Sequence, residues 1–171
     1  MRLFIALPFS SGVTEELSKV GSDLKAAGVS GSFAPRQNLH LTLAFLGEVN
    51  DAKPVISAIN SVRLPETEIR FGKYSMFGDI LVVEMTKNDA LERYVADLRR
   101  ALDAAGIGYD KKPFRAHVTL VRRTSFPNEN FDIKDYLAPP SSAVAKISDV
   151  CLFRTDFIEG KPRYTAIYRK K

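Results

Sequence analysis

An internal repeat restricts the folds open to this chain more than any other feature of its sequence. The tetrapeptide His-x-Thr-Leu occurs twice, at residues 40–43 and 117–120, which are 77 positions apart. At the same offset, the apolar residues 3–6 fall on the apolar residues 80–83. Each half therefore begins with an apolar strand candidate and closes on the same tetrapeptide, an order that is hard to obtain by chance.

Two helix patterns lie at equivalent places inside the repeat. Apolar residues with helical spacing at 13–27 fall on those at 91–105 when the chain is shifted by 78, and Gly28 falls on Gly106. One residue gained before the helix and lost after it accounts for the change of offset. The sequence thus predicts a duplicated strand–helix–strand unit, with two halves related by approximate two-fold symmetry.

Periodicity predicts the other elements. A third helix is expected at 51–62, with Asp51 as N-cap and Pro54 in its first turn. Residues 124–142 are expected to form a surface loop with one helical turn near 133–137. Strands are expected at 2–8, 39–46, 69–74, 80–86, 116–123, 145–153 and 163–169.

Composition limits the class of protein. A chain of 171 residues, 45% of them apolar, is expected to form a single domain over residues 1–171. Its single cysteine, Cys151, excludes an internal disulfide and makes a reducing, cytoplasmic location the default expectation. No apolar run is long enough to span a bilayer, and Pro8 interrupts the apolar N-terminus, which is predicted to be a strand and not a signal sequence. The net charge of +5 favours polyanionic partners such as nucleic acid.

The two histidines of the chain both begin the repeated tetrapeptide. Side chains alternate across a strand, so His40 shares a face with Thr42, and His117 shares a face with Thr119. Equivalent strands of a two-fold pair face each other, which would place these four side chains around one cavity. Two imidazoles can take and give protons near neutral pH, and hydroxyl groups can bind phosphate oxygens. The pattern predicts hydrolysis of a phosphodiester without a metal ion or a covalent nucleophile.

Two other interpretations of the histidines stay open. Each can be an ordinary core or surface residue, although their repetition at equivalent points favours a shared role. A metal site is disfavoured, because neither histidine has a carboxylate at short ligand spacing or a cysteine nearby.

The residues around both motifs resemble a known family. Asn38-Leu-His-Leu-Thr-Leu-Ala-Phe-Leu-Gly47 and Phe114-Arg-Ala-His-Val-Thr-Leu-Val-Arg122 are similar to the paired signatures of the 2H phosphoesterase superfamily. Within it, the likeness is to the RNA 2′,3′-cyclic phosphodiesterases, historically called 2′-5′ RNA ligases, and it extends to residues 2–6, 33–38 and 160–164. The resemblance implies a bilobal α+β fold in which two antiparallel sheets flank a central cleft, with helices outside and one motif in each lobe.

The resemblance also implies a reaction and roles for site residues. A terminal 2′,3′-cyclic phosphate of RNA is hydrolysed to a 2′-phosphate without a cofactor or metal, and 2′-5′ RNA ligation is a further reaction that the same centre would allow. His40 corresponds to the proton donor and His117 to the proton acceptor. Thr42 and Thr119 correspond to phosphate-contacting threonines. The implied partners are RNA ends, tRNA fragments among them, or small cyclic nucleotides, bound by a monomer with no membrane association.

The second motif differs from the family pattern at one position, and at another its match to the family conflicts with strand alternation. Ala116 stands where the family commonly has proline before the second histidine. Arg122 matches a phosphate-contacting arginine, yet strict alternation puts it on the face opposite His117 and puts Arg123 on the same face. A bulge that turns Arg122, a side chain that curls around the strand end, or a role for Arg123 would each resolve the conflict.

Other residues have weaker assignments. Phe33, expected on a loop before the first motif strand, is a candidate for stacking on a base, whereas Phe45 shares the face of Leu41 and is expected in the core. A basic cluster around the second motif is either a rim that guides RNA phosphates or ordinary solvated charge; it comprises Lys111, Lys112, Arg115, Arg122 and Arg123.

Two rival functions remain after the sequence alone. One is a 2H phosphoesterase acting on a different cyclic phosphate, such as a cyclic ADP-ribose phosphate or a cyclic nucleotide. The other is a non-catalytic RNA-binding domain, which would retain RNA affinity after both histidines are replaced.

Overall fold

The computed structural model describes residues 1–140 and 142–171. The elements, in chain order, are β1 (Arg2–Pro8), α1 (Ser11–Ala26), β2 (Ser30–Phe33), β3 (His40–Glu48), α2 (Lys53–Ser61), β4 (Glu68–Phe77), β5 (Ile80–Met85), α3 (Asp89–Ala104), β6 (His117–Ser125), β7 (Val144–Lys146), β8 (Val150–Ile158) and β9 (Lys161–Lys170). A 3₁₀ turn at Ile133–Asp135 confirms the predicted helical turn, and Ser141 of the same predicted loop lies outside the described residues. Among residues 1–140 and 142–171, none of the helices is both long enough and apolar enough to cross a membrane.

Two antiparallel sheets form the framework. The first sheet has the order β3-β1-β8-β9 and the second has the order β2-β6-β5-β4-β7. Strands β3 and β6, which carry the two motifs, contact each other where the sheets meet. Helix α1 contacts β6, and α3 contacts β3, so each helix touches the motif strand of the other half. The predicted bilobal α+β fold is therefore confirmed.

The repeat corresponds to real structural equivalence. The unit β1-α1-β3 in the first half matches β5-α3-β6 in the second. Both helices end with the same backbone hydrogen bond, in which Val29 N–H donates to the Leu24 carbonyl (3.0 Å) and Ile107 N–H donates to the Leu102 carbonyl (2.9 Å). Since residues 24 and 102 are also 78 positions apart, the same offset governs the helix ends.

Three predictions of local structure were wrong. Strand β2 was not expected, because its four residues include a glycine and lack alternation; it forms by pairing with β6. The strand predicted at 145–153 is two strands, of which β7 pairs with β4 and β8 pairs with β1. The N-cap of α2 is Ala52, while the carboxylate of Asp51 accepts a hydrogen bond from Lys53 N–H at 3.0 Å.

A bulge interrupts β3 just after the first His–Thr pair. Against β1, the register shifts between Thr42 and Ala44, so Leu43 is the extra residue. Leu43 and Ala44 are consequently both buried, and the alternation resumes out of phase. The expectation that Phe45 packs in the core was therefore wrong, because its side chain turns to the opposite face and is 36% exposed.

Strand β6 has the same irregularity at the equivalent position. Against β5, the register shifts between Thr119 and Val121, and Leu120 is the extra residue. Leu120 and Val121 are both buried. The next residue, Arg122, is exposed on the face of Thr119, which is the outcome that the bulge explanation required.

Gly31 allows β2 to lie against this irregular part of β6. Its φ of 145° is in the region that favours glycine, and a Cβ there would lie 2.7 Å from the Arg122 carbonyl oxygen and 2.9 Å from that of Arg123. Gly31→Ala is expected to lower the free energy of unfolding by about 1–3 kcal/mol, measured by urea denaturation, because backbone must move to admit the methyl group. Gly12→Ala is the matched control, since Gly12 lies in α1 with nothing within 4 Å of its added Cβ. Equal stability of the two variants would contradict the expected clash.

Candidate active site

A cleft of about 820 Å³ opens where β3 and β6 meet, and we call it the main cleft. Its walls include His40 and Thr42 from β3 together with His117, Thr119 and Arg122 from β6. Phe33 also lines it, so the fold brings together all the residues that the sequence assigned to one site. The described part of the chain contains no group of three or more His, Cys, Asp or Glu residues placed to hold a metal ion. The groups in the cleft are suited to proton transfer and to binding an anion.

The backbone fixes which nitrogen of His40 can exchange a proton. Its Nδ1 lies 2.6 Å from the carbonyl oxygen of Asn38, which can only accept, so Nδ1 carries a hydrogen and donates it. The Asn38 side chain in turn donates to the Pro162 carbonyl (3.1 Å), which ties the start of β3 to β9. Nε2 lies 3.0 Å from Oγ1 of Thr42, whose hydroxyl donates to it when the ring is neutral. Proton exchange at His40 therefore takes place at Nε2.

Three aromatic rings surround the imidazole of His40. The ring centroids of Phe4, Tyr164 and Phe153 lie 4.9, 5.3 and 6.1 Å from its own. Burial among them lowers the pKa of His40 to about 4, despite the hydrogen bond to Asn38, which raises it; the positive charge of Arg122 lowers it further. In the free protein at neutral pH, His40 is consequently uncharged.

This burial leads to a prediction about pH. In a titration followed by NMR, the His40 ring should titrate near pH 4, well below the 6.5 of an unperturbed histidine. Because the folded pKa is the lower of the two, protons bind the unfolded chain more tightly between these values. The contribution of His40 to the free energy of unfolding is therefore constant above pH 6.5 and declines as the pH falls towards 4. A His40→Gln variant should lack this decline, and titration of His40 near 6.5 in the parent would contradict the prediction.

His117 is held in the same manner but in different surroundings. Its Nδ1 donates to the carbonyl oxygen of Arg115 at 2.6 Å, so Nε2 is again the exchanging nitrogen. Phe77 packs edge-on against the imidazole with the centroids 4.8 Å apart, and the Arg115 guanidinium covers Phe77 at 4.3 Å. In both motifs, the accepting carbonyl belongs to the residue two positions before the histidine.

A small polar network supports this side of the cleft. Glu84 is paired with His117 across β5 and β6, and it accepts hydrogen bonds from the Ser75 hydroxyl and the Arg115 guanidinium. The hydrogen bond from Ser75 is the main cause that holds the pKa of Glu84 below its usual range. The hydrogen bond and charge of Arg115 and the charge of Lys73 act in the same direction. Sequence reasoning missed Glu84, Asn38 and the aromatic neighbours, because nothing in their spacing announces a contact. Only one signal was usable: Asn38 and Arg115 both stand two residues before a motif histidine.

The predicted basic cluster divides into two groups. Lys111 pairs with Asp103, Lys112 pairs with Asp110, and Arg115 pairs with Glu84, as expected for ordinary solvated charge. Arg122 and Arg123 have no ion-pair partner in the described part of the chain. Of these two, only Arg122 lines the main cleft beside both histidines.

The aromatic residues of the cleft differ from expectation in position. Phe33 lies on β2 and not on a loop, and its ring lines the main cleft with the Lys25 ammonium 4.6 Å from its centroid. Phe45, turned by the bulge in β3, lines the same cleft. Lys25, Lys161 and Arg122 outnumber the single acidic residue of the wall, Asp110, so the cleft favours a negatively charged ligand.

Comparison with known proteins finds a matching family, relatives with similar sequences and solved structures with the same fold. The family model described as "LigT like Phosphoesterase" matches residues 7–85 and residues 83–164. The RNA 2′,3′-cyclic phosphodiesterase of Geobacillus stearothermophilus is 25% identical over 175 residues, covering 96% of this chain, although the chain spans only 55% of that protein. The enzyme of the same name from Thermotoga maritima is 29% identical over 138 residues, covering 75% of this chain and 73% of the relative. The crystal structure of E. coli LigT in apo form superposes with a TM-score of 0.81 at 25% identity, covering 99% of this chain and 95% of LigT. Two matches of one family model, one over each half of the repeat, show that the chain belongs to the LigT-like phosphoesterases.

Proposed function

We propose that the protein hydrolyses the 2′,3′-cyclic phosphate at an RNA 3′ end to a 2′-phosphate. The observation that carries the proposal is the arrangement of His40 and His117, whose Nδ1 atoms are both held by backbone carbonyls while both rings line one cleft with Arg122. The names of the relatives from G. stearothermophilus and T. maritima support this class of substrate.

Each proton in the proposed reaction has a carrier. His117 Nε2 takes a proton from a water molecule as its oxygen attacks phosphorus. The bond between phosphorus and the ribose 3′ oxygen breaks, and His40 Nε2 gives its proton to that oxygen. Arg122 and the hydroxyls of Thr42 and Thr119 hold the non-bridging oxygens, where negative charge accumulates. Exchange with solvent then returns His40 and His117 to their starting states.

The substrate itself is proposed to charge His40. A histidine with a pKa of about 4 is neutral in the free protein, but once protonated it is a stronger acid than an exposed histidine. Desolvation is the main cause of this low pKa, and the positive charge of Arg122 lowers the pKa further; a phosphate anion bound beside Arg122 offsets that second contribution. Protonation of His40 and binding of the phosphate therefore favour each other, and the acid forms where the leaving oxygen needs it.

The direct test is incubation with a short RNA that ends in a 2′,3′-cyclic phosphate, in the presence of EDTA. We expect turnover to a terminal 2′-monophosphate at an unreduced rate, because the proposed proton carriers are both side chains. A 3′-monophosphate product would contradict the proposed leaving group, and loss of turnover in EDTA would contradict metal-independent chemistry.

The same preparation separates the alternatives. Faster hydrolysis of a cyclic nucleotide or of a cyclic ADP-ribose phosphate than of the RNA end would identify a different substrate. RNA affinity without turnover, retained after both His40 and His117 are replaced by alanine, would indicate a binding domain. Formation of a 2′-5′ linkage from an RNA 2′,3′-cyclic phosphate and an RNA 5′-hydroxyl would demonstrate ligation, with the hydroxyl in the place of water.

A further inference from the structure

A smaller chamber of about 490 Å³ adjoins the main cleft, and we call it the second chamber. The two spaces share His40, Thr42, Phe45 and Arg122, among other residues, so they meet at the proposed phosphate position. Neither His117 nor Thr119 lines the second chamber. Its own walls come from Arg2, Phe4, Asp79, Ile80, Arg123, Thr155 and Phe157.

Arg2 and Arg123 are the two cations that line this chamber outside the proposed active site, and Arg2 is the one that lies over aromatic rings. Its guanidinium lies over the rings of Phe45 and Phe157, 5.2 and 5.9 Å from their centroids, and these two contacts hold it at the chamber wall. Residue 2 is exposed, and Arg2 forms no ion pair within the described part of the chain. A positioned guanidinium without an acidic partner is suited to bind a phosphate group.

Phe157 supplies an aromatic surface beside this cation. It lies near the end of β8, where it pairs with Pro162 of β9, and 59% of its surface is exposed. A large aromatic ring exposed to this extent adds little to the hydrophobic core. Next to an arginine in a groove, such a ring is a platform on which a nucleobase can stack.

We propose that the second chamber binds the nucleotide that precedes the terminal one in the RNA strand. This inference rests on the proposed function, which seats the terminal cyclic phosphate between His40 and Arg122. The strand must leave that position towards its 5′ end, and the second chamber opens from it with three arginines against the single acidic residue Asp79. Arg2 binds the phosphodiester between the last two nucleotides, and the penultimate base stacks on Phe157. The protein is thus expected to prefer an oligonucleotide end over a free mononucleotide as substrate.

The test compares two substrates that differ only in the upstream nucleotides. Adenosine 2′,3′-cyclic phosphate occupies the main cleft alone, whereas triadenylate with the same cyclic end also reaches the second chamber. For the parent protein, kcat/KM should be higher with the trinucleotide. Arg2→Gln and Phe157→Ala should each lower the ratio of kcat/KM for the trinucleotide to that for the mononucleotide by about tenfold. For Arg2→Gln, the slope of the logarithm of the trinucleotide binding constant against the logarithm of salt concentration should also be less steep by about 0.7. This is the contribution of one phosphate contact to a single strand.

Arg63→Gln is the matched control, because it removes the same charge from a side chain that is 90% exposed and lines neither space. The mononucleotide rate reports whether each variant is folded. An unchanged ratio in both Arg2→Gln and Phe157→Ala would overturn the inference while leaving the proposed function intact.

Failure of the proposed function would look different, because the parent would then turn over neither substrate. In that event, binding of fluorescein-labelled triadenylate with a 3′-phosphate decides the matter by fluorescence anisotropy. Weaker binding to Arg2→Gln than to the parent supports an RNA site in the second chamber, and equal binding to both proteins rejects it.

Discussion

Replacing either histidine by alanine is expected to lower kcat for an RNA 2′,3′-cyclic phosphate by about 10²–10⁴-fold, because each variant removes one of the two proton transfers. Both imidazoles are partly exposed at the cleft wall and neither is part of the hydrophobic core, so the variants should remain folded. Circular dichroism and thermal unfolding check the fold, and quenched-flow or steady-state assays measure kcat. Turnover within a few fold of the parent in both variants would contradict acid–base catalysis by this pair.

A substrate with sulfur in place of the bridging 3′ oxygen separates the two roles. A thiolate leaves without protonation, so the proton donor becomes dispensable while the proton acceptor is still needed. We therefore expect His40→Ala to recover most of its deficit on the sulfur substrate and His117→Ala to recover little. The opposite pattern would exchange the two roles, and equal deficits in both variants would show that neither acts on the leaving group.

Arg122→Gln is expected to lower kcat/KM for adenosine 2′,3′-cyclic phosphate by about 10²–10³-fold, the cost of losing one fixed donor to a developing negative charge. The deficit should lie largely in kcat, because the charge on the phosphate oxygens increases in the transition state. Arg100→Gln is the control, since Arg100 is exposed on α3, pairs with Asp97 and lines neither the main cleft nor the second chamber.

The same variant has a second readout that a loss of folding would not produce. The charge of Arg122 is among the causes that lower the pKa of His40, so the NMR titration of His40 should move upward in Arg122→Gln. An unchanged His40 titration together with unchanged kcat/KM would place Arg122 outside the reacting centre and leave Arg123 as the alternative.

The duplicated backbone supports two unlike halves of one site. The Nδ1–H of each motif histidine donates to a carbonyl two residues earlier, and a bulge follows each motif threonine. Phe45 and Arg122 occupy equivalent positions after the bulge, 77 residues apart, and both side chains line the main cleft. Aromatic rings enclose His40, whereas His117 has Phe77 against one edge. Equal backbone geometry with unequal surroundings suits the opposite proton-transfer roles that we propose for these two identical side chains.

Patterns along the chain were sufficient for most of the framework. The offsets of 77 and 78 predicted the equivalence of the two strand–helix–strand units, and the helix and strand periodicities located their elements. The repeated tetrapeptide also singled out His40 and His117 as candidates for one cavity. These inferences succeeded because helix and strand periods, and a repeated segment, are visible in the order of residues along the chain and do not depend on tertiary contacts.

Only the tertiary structure decided which way Phe45 and Arg122 point. Their orientation depends on the extra residue that follows Thr42 in β3 and Thr119 in β6. Such a bulge is set by the pairing of the strand with its neighbour, which strict alternation cannot represent. The low pKa of His40 likewise depends on Phe4, Phe153 and Tyr164, which three other strands bring to the ring. Desolvation is a property of the space around a group, so its strength appears only when distant segments have packed.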